Sequence, residues 1–220
     1  MDDIAHLIKS AQTGLRDHCG SHQFHSLLQN RRVPETVLAA MAGELYHLVR
    51  SDRRSFSLLA SRFPSATAGD LFLAMAQGEG EALALLLDFA KALGRDEAYL
   101  RAYDTRAMAQ AYPAYLTQTA LYASQSSVAL ALLANVGESG DQYRRVANTL
   151  QAHYGYSDKA VAHFRYFADT PQELIDMASA TLREGLASGD DPTEAVRTAR
   201  MVQAYESLFW SCLANDVELQ

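Results

Sequence analysis

The segment 191–213, DPTEAVRTARMVQAYESLFWSCL, decides the fold. Asp191 is a capping residue, Pro192 suits the first helical position, and Glu194 follows in the first turn, where the helix dipole favours a negative charge. Behind this start, Ala199, Val202, Glu206, Phe209 and Leu213 recur at spacings of three, four, three and four, which places all five on one stripe of a helix. The stripe is apolar except at Glu206, so this carboxylate points into the core.

The same reading extends outward along the chain. Thr170-Pro171-Gln172-Glu173 repeats the start signal, and Gly94, Gly155 and Gly189 stand where helices stop. No sustained period-two alternation is found, no Asn-Gly or Asp-Gly turn joins apolar runs, and Ala and Leu outnumber Val and Ile. These signals predict helices near 2–19, 34–62, 67–93, 95–103, 106–124, 126–136, 140–153, 157–167, 171–187 and 192–214, with a bend within Gly69–Gly80. No Pro-, Gly- or Ser-rich linker and no repeat divides the chain. The expectation is an all-α, multi-helix bundle forming a single domain over 1–220.

Composition narrows the function classes. Hydrophobic residues make up 49 % and charged residues 20 %, a globular balance. The net charge of −7 argues against a nucleic-acid partner, since such surfaces concentrate Lys and Arg. Neither of the two cysteines, Cys19 and Cys212, has CxxC or CxxxH spacing, so a disulfide scaffold and a structural zinc site are both disfavoured. No apolar run reaches membrane-spanning length, and Asp2, Asp3, His6 and Lys9 do not read as a secretion signal. A cytoplasmic protein with no membrane partner and no bound metal or cofactor is expected.

A second carboxylate interrupts an apolar stripe. Val37, Met41, Glu44 and Leu48 are spaced four, three and four apart, so Glu44 points inward as Glu206 does. A lone ionised carboxylate in a dry core costs several kcal/mol, so each must be paired, be protonated or face a cavity. One reading is a shared polar pocket between facing helices; the other is a place at the stripe's edge, with the carboxylate reaching water or an arginine of a neighbouring helix. His47 either reaches the same pocket or is a satisfied core histidine. His18, His22 and His25 cluster at a spacing that suits a metal or haem contact, and equally a solvated loop. Tyr115, Tyr122, Phe164 and Tyr166 are expected to shape the pocket, while Tyr112, Tyr115 and Tyr122 also read as core aromatics with a hydrogen-bonded hydroxyl.

Three segments, His22-Gln23-Phe24-His25, Ala131-Leu132-Leu133-Ala134-Asn135 and Ala204-Tyr205-Glu206-Ser207-Leu208-Phe209-Trp210, together resemble the TenA/THI-4 family, which has the haem-oxygenase-like helical fold. The closing Tyr-Glu-x-x-Phe-Trp is the most specific of them. The best-known members are thiaminase II enzymes that hydrolyse aminopyrimidines from thiamin breakdown. They use a cysteine in a Leu-Pro-Cys context, an aspartate on the second helix and a glutamate on the last.

Carried onto this chain, the resemblance implies that Glu206 is the proton donor and that Glu44 replaces the aspartate that grips the ring. It sets His47 at a ring-stacking tyrosine position, Asn135 at the cysteine and Ser139 at a second tyrosine. An amide cannot form the covalent intermediate that a thiolate forms. The expectation is therefore a cysteine-independent hydrolase of an aminopyrimidine or related nitrogen heterocycle in thiamin salvage, with Glu206 and Glu44 catalytic, and a homo-oligomer, dimer or tetramer.

Two alternatives stand beside it: a non-catalytic protein that binds a small-molecule ligand on the same scaffold, and a haem or metal oxygenase. The ligand sets of di-iron relatives are not matched, because Ala84 follows Glu81 by three, and Phe167 and Thr170 follow His163 by four and seven. For a haem site, Val136-Gly137-Glu138-Ser139-Gly140 is a weak match to a small-residue distal helix.

Overall fold

The computed structural model describes residues 2–13 and 21–219, with side chains for 4–13 and 23–219. Among these residues the chain forms ten helices and no strand: α1 Asp2–Gln12, α2 Ser21–Gln29, α3 Glu35–Arg62, α4 Ala68–Ala92, α5 Glu97–Ala102, α6 Ala111–Tyr122, α7 Gln125–Tyr154, α8 Ala162–Ala168, α9 Gln172–Ala187 and α10 Pro192–Glu218. Among the described residues no helix is long and apolar enough to cross a membrane.

Local chemistry sets these boundaries. Asp191 caps α10 by accepting from the backbone N–H of Thr193 at 2.8 Å, and Asp96 caps α5 by accepting from Tyr99. Gly94, Gly155 and Gly189 all take positive φ after α4, α7 and α9, the left-handed conformation that ends a helix and that glycine enters without steric penalty.

Three differences from the sequence reading have physical causes. The turn 21–29 is a helix, α2, which buries Phe24, Leu27 and Leu28 against α10; its polar half had concealed the apolar spacing. The start expected at 106 is a separate turn, closed by the Gln110 backbone N–H donating to the Arg106 carbonyl at 3.0 Å and anchored by the Arg106 N–H donating to Glu44 at 2.9 Å, and α6 begins at Ala111. The helices expected at 126–136 and 140–153 are one helix, α7, which runs unbroken through Gly137 and Gly140. Gly140 is there for contact, since a Cβ at that position would sit 2.7 Å from the Ala168 carbonyl oxygen of α8.

Four long helices, α3, α4, α7 and α10, form the frame, with α3 on α4 and α7 on α10. Each contributes to two apolar clusters. One gathers Phe24, Tyr46, Phe89, Phe164, Trp210 and Leu213; the other gathers Phe56, Phe72, Leu130, Leu182 and Val202. Between the clusters, near the midpoints of the four helices, stand Asp52, Glu79, Ser139 and Glu206. The bundle thus has a polar waist between two apolar halves.

Candidate functional site

A cavity of about 960 Å³ occupies this waist. Its wall includes Leu48 and Asp52 of α3, Glu79 of α4, Tyr112 of α6, Asn135, Ser139 and Tyr143 of α7, and Glu206, Phe209 and Trp210 of α10. α8, α9 and the turn between them close the remaining side with Tyr166, Phe167, Leu174 and Met177.

Helical spacing assembles the polar wall. Asn135, Ser139 and Tyr143 stand four residues apart on α7 and so share one face. Asn135 donates its amide N–H to Glu206 Oε2, and the Ser139 hydroxyl donates to Oε1 at 2.8 Å. Both Glu206 oxygens are therefore oriented by neutral donors from a single helix face. Burial pushes the Glu206 carboxyl up, the Asn135 and Ser139 hydrogen bonds oppose this, and the charge of Glu138 adds to the rise. Should Glu206 take up a proton, a half-turn of the Asn135 amide presents a carbonyl to accept from it, so this partner serves both ionisation states.

Two further carboxylates face the same space. Asp52 is 3 % exposed and Glu79 is 9 % exposed. Burial raises Asp52 well above the ordinary carboxylate value; the Tyr112 hydroxyl lowers it and the charge of Glu206 raises it. Burial, then repulsion from Asp52, raises Glu79 well above its ordinary value. Asp52 Oδ1, Glu79 Oε2 and Trp210 Nε1 are buried without a hydrogen-bond partner among the described residues. Burial first, then the surrounding carboxylates, also raises the Tyr112 and Tyr143 hydroxyls well above their ordinary value. The site favours protonated acids and carries unused hydrogen-bonding capacity.

The residues singled out from sequence divide into two groups. Glu206, Asn135, Ser139 and Tyr166 line the cavity, with the Tyr166 hydroxyl at its rim donating to Glu81 at 3.1 Å. Glu44 is fully buried but elsewhere: Oε1 accepts from the Arg106 backbone N–H and, at 3.0 Å, from Arg106 Nε, and Oε2 accepts from Gln110 at 2.6 Å. It has the arginine partner of its alternative reading, supplied by the segment before α6. His47 Nε2 lies 3.1 Å from the Leu100 carbonyl, a satisfied histidine outside the cavity wall. Tyr115 stacks on Tyr205 with ring centroids 4.8 Å apart, Phe164 packs on Phe89, and Tyr122, at the end of α6, is 76 % exposed; none of the three lines the cavity.

Asp52, Glu79 and Tyr143 complete the wall without having been singled out. Asp52 continues the α3 stripe four residues past Leu48, and Glu79 lies four past Met75 on α4. Asp52 stands beside Arg53-Arg54, and Glu79 between two glycines, neighbours that do not by themselves point to burial. Extending each stripe by one turn finds them.

No histidine belongs to the described cavity wall, so an axial haem ligand has no donor there. His25 packs instead against the Trp210 ring at 5.0 Å, while His18, Cys19 and the His22 side chain lie outside the described residues. No group of three His, Cys, Asp or Glu among the described residues could hold a metal ion. Cys212 is buried on α10 away from the cavity wall, and burial pushes its thiol up, which disfavours the thiolate.

Comparison with known proteins gives the scaffold its relatives. A TenA homolog from Pseudomonas syringae pv. tomato str. DC3000 superposes with a TM-score of 0.78 at 10 % identity, over 97 % of this chain and 93 % of that one. A TenA homologue from Pyrococcus furiosus gives 0.71 at 18 % identity, over 96 % and 98 %. A domain of unknown function with a heme oxygenase-like fold, from Shewanella denitrificans OS217, gives 0.72 at 12 % identity, over 99 % and 90 %. These likenesses show the haem-oxygenase-like fold. No curated protein matches. The family model for TENA/THI-4/PQQC matches residues 10–215, almost the whole chain, and the chain belongs to that family.

Proposed function

We propose that this protein is a hydrolase of an aminopyrimidine or a related nitrogen heterocycle that works without a cysteine nucleophile, with Glu206 moving the proton and Asp52 gripping the substrate's amino group. The observation that carries this reading is the Glu206 carboxyl, held at both oxygens by Asn135 and Ser139 on the wall of a cavity that Asp52 also faces. Asp52 takes the gripping role that the family resemblance assigned to Glu44, whose oxygens are committed to Arg106 and Gln110.

The chemistry needs no nucleophilic side chain. Glu206, ionised, takes a proton from water as the new C–O bond forms, then returns it to the departing nitrogen as the C–N bond breaks. Its raised pKa brings donor and acceptor strength closer together near neutral pH. The family resemblance sets such a reaction in thiamin salvage.

A second reading, a binding protein on the same scaffold, draws support from Asn135 at the position of the family cysteine. The deciding experiment measures hydroxymethylpyrimidine release from aminopyrimidine and from thiamin, beside Glu206→Gln. The hydrolase reading expects turnover in the parent and none in a variant of unchanged or higher Tm. A parent that turns over neither compound gives way to the binding protein.

A further inference from the structure

The cavity is larger and more one-sided than a single small ring requires. At about 960 Å³ it stands at the upper end of the range for sites that hold drug-sized ligands, roughly 300–1,000 Å³. Six carboxylate side chains line it, of which Asp169 is paired with Arg144 and Glu81 accepts from Tyr166 and Gln77, against one cation of the wall, Arg165, whose guanidinium is engaged by Asp158 and Gln151. Asp52 and Glu79 each bring an unpartnered oxygen to it from a side chain at least nine-tenths buried. Both Glu206 oxygens, by contrast, already accept from Asn135 and Ser139. The unmet demand of the carboxylates at the waist is for donors and positive charge, and Trp210 Nε1 beside them lacks an acceptor.

The other part of the wall is apolar. α9 packs on α4 and α7 and presents Leu174, Ile175, Met177 and Ala178, joined by Met75 and Leu132. Met75 precedes Glu79 by one turn of α4, about 6 Å along the axis, so the acidic and apolar regions adjoin. Methionine side chains adapt to irregular apolar shapes, which suits a surface for a chain or second ring.

We infer that the ligand is an amphipathic cation, whose amine- or amidine-like head gives at least two N–H donors to Asp52 and Glu79 and whose apolar extension lies along α9. A cation offsets the burial cost that otherwise holds Asp52 and Glu79 toward their protonated forms, so that both ionise against it, and its donors satisfy the unpartnered oxygens. An anion meets like charge, and a neutral head leaves the charge demand unmet. Each buried methylene of the extension raises affinity about fourfold at most. The inference rests on the hydrolase reading's choice of site and narrows its substrate class: a protonated aminopyrimidine is one such head, and the extension is the added claim.

Trp210 is the only tryptophan and lines the cavity, so its fluorescence reports occupancy. The test titrates the full chain with benzamidine, 4-hexylbenzamidine and the neutral isostere 4-hexylbenzamide, each below its aggregation threshold. The hexyl amidine is expected to bind at least tenfold tighter than either of the others, and Asp52→Asn/Glu79→Gln to weaken it at least tenfold without affecting the amide. Ala178→Phe, which fills the apolar end, is expected to erase the hexyl advantage and leave benzamidine binding unchanged. Equal affinity for amidine and amide, equal affinity with and without the hexyl chain, or no saturable signal overturns the inference. The two readings fail separately: heterocycle turnover without hexyl-cation preference removes only the inference, and this preference without turnover removes only the hydrolase.

Discussion

Glu44 receives both the backbone N–H and the Nε of Arg106 on a single carboxylate oxygen, and so fixes the segment before α6 to the middle of α3. Arg106 also pairs with Asp216 near the end of α10, which ties three parts of the chain together. With Glu44 neutralised, Arg106 is partly exposed and keeps Asp216, so the loss is that of the charge-assisted hydrogen bonds to Glu44 rather than of an uncompensated charge, about 1–3 kcal/mol. Glu44→Gln is therefore expected to lose about 1–3 kcal/mol in urea unfolding while ligand affinity of the folded fraction stays within about twofold. Loss of affinity at unchanged stability would move Glu44 into the site.

Asp52 carries the opposite liability. Its folded-state pKa is raised, so its contribution to stability is present at low pH and lost as pH rises above the ordinary carboxylate value. Asp52→Asn is expected to raise Tm by a few degrees at pH 8, with the gain shrinking toward zero near pH 4. A variant less stable than the parent at pH 8 counts against a charge held at a cost.

His163 works in the other direction. It is fully buried, with Nδ1 2.9 Å from the Ala82 carbonyl, and burial lowers its pKa to about 4 from an ordinary 6.5. Stability from the neutral ring is thus complete above pH 6.5 and drains as pH falls toward 4, about 3 kcal/mol in all. The difference in unfolding free energy between parent and His163→Phe, measured from pH 7.5 to 4.5, is expected to change by most of that amount, about 2.5 kcal/mol. Since the cavity carboxylates are common to both proteins, their effects cancel; a flat difference refutes the assignment.

Ser139 and Asn135 set the proton affinity of Glu206. Each hydrogen bond favours the ionised carboxylate, so removing either moves the pKa up. Ser139→Ala is expected to shift the Glu206 limb of the pH–rate profile to higher pH and lower kcat/KM by roughly 10- to 100-fold, the range for a hydrogen bond to a charged group. A uniform loss of rate with no displaced limb would assign Ser139 to packing instead.

Much of this molecule was legible in its sequence. Asp191-Pro192 and the 199–213 stripe marked α10 and turned Glu206 inward, and three glycines marked helix ends. What escaped depended on partners distant in sequence. Gly137 and Gly140 read as a break because the Ala168 carbonyl that Gly140 accommodates belongs to another helix. Glu44 was turned inward by its spacing and Asp52 lies on the continuation of that stripe, but only the register of the 103–110 segment decides which of them meets an arginine and which a cavity. Tyr115 and Tyr122 share the composition of a pocket aromatic, yet the rotation of α6 gives the cavity to Tyr112.

The unbroken course of α7 restricts how this chain can change in length. Each residue added to an α-helix advances the phase of everything beyond it by about 100°, so one insertion between Gln125 and Asn135 would swing Asn135, Ser139 and Tyr143 away from Glu206 together. A seven-residue deletion there would return them to within about 20° of their bearing, although shifted along the axis. The Gly155–Val161 connection after the helix can absorb an insertion without rotating any of the three. Insertions and deletions in relatives that keep this polar face should therefore collect in the connections and, within α7, come in multiples near seven.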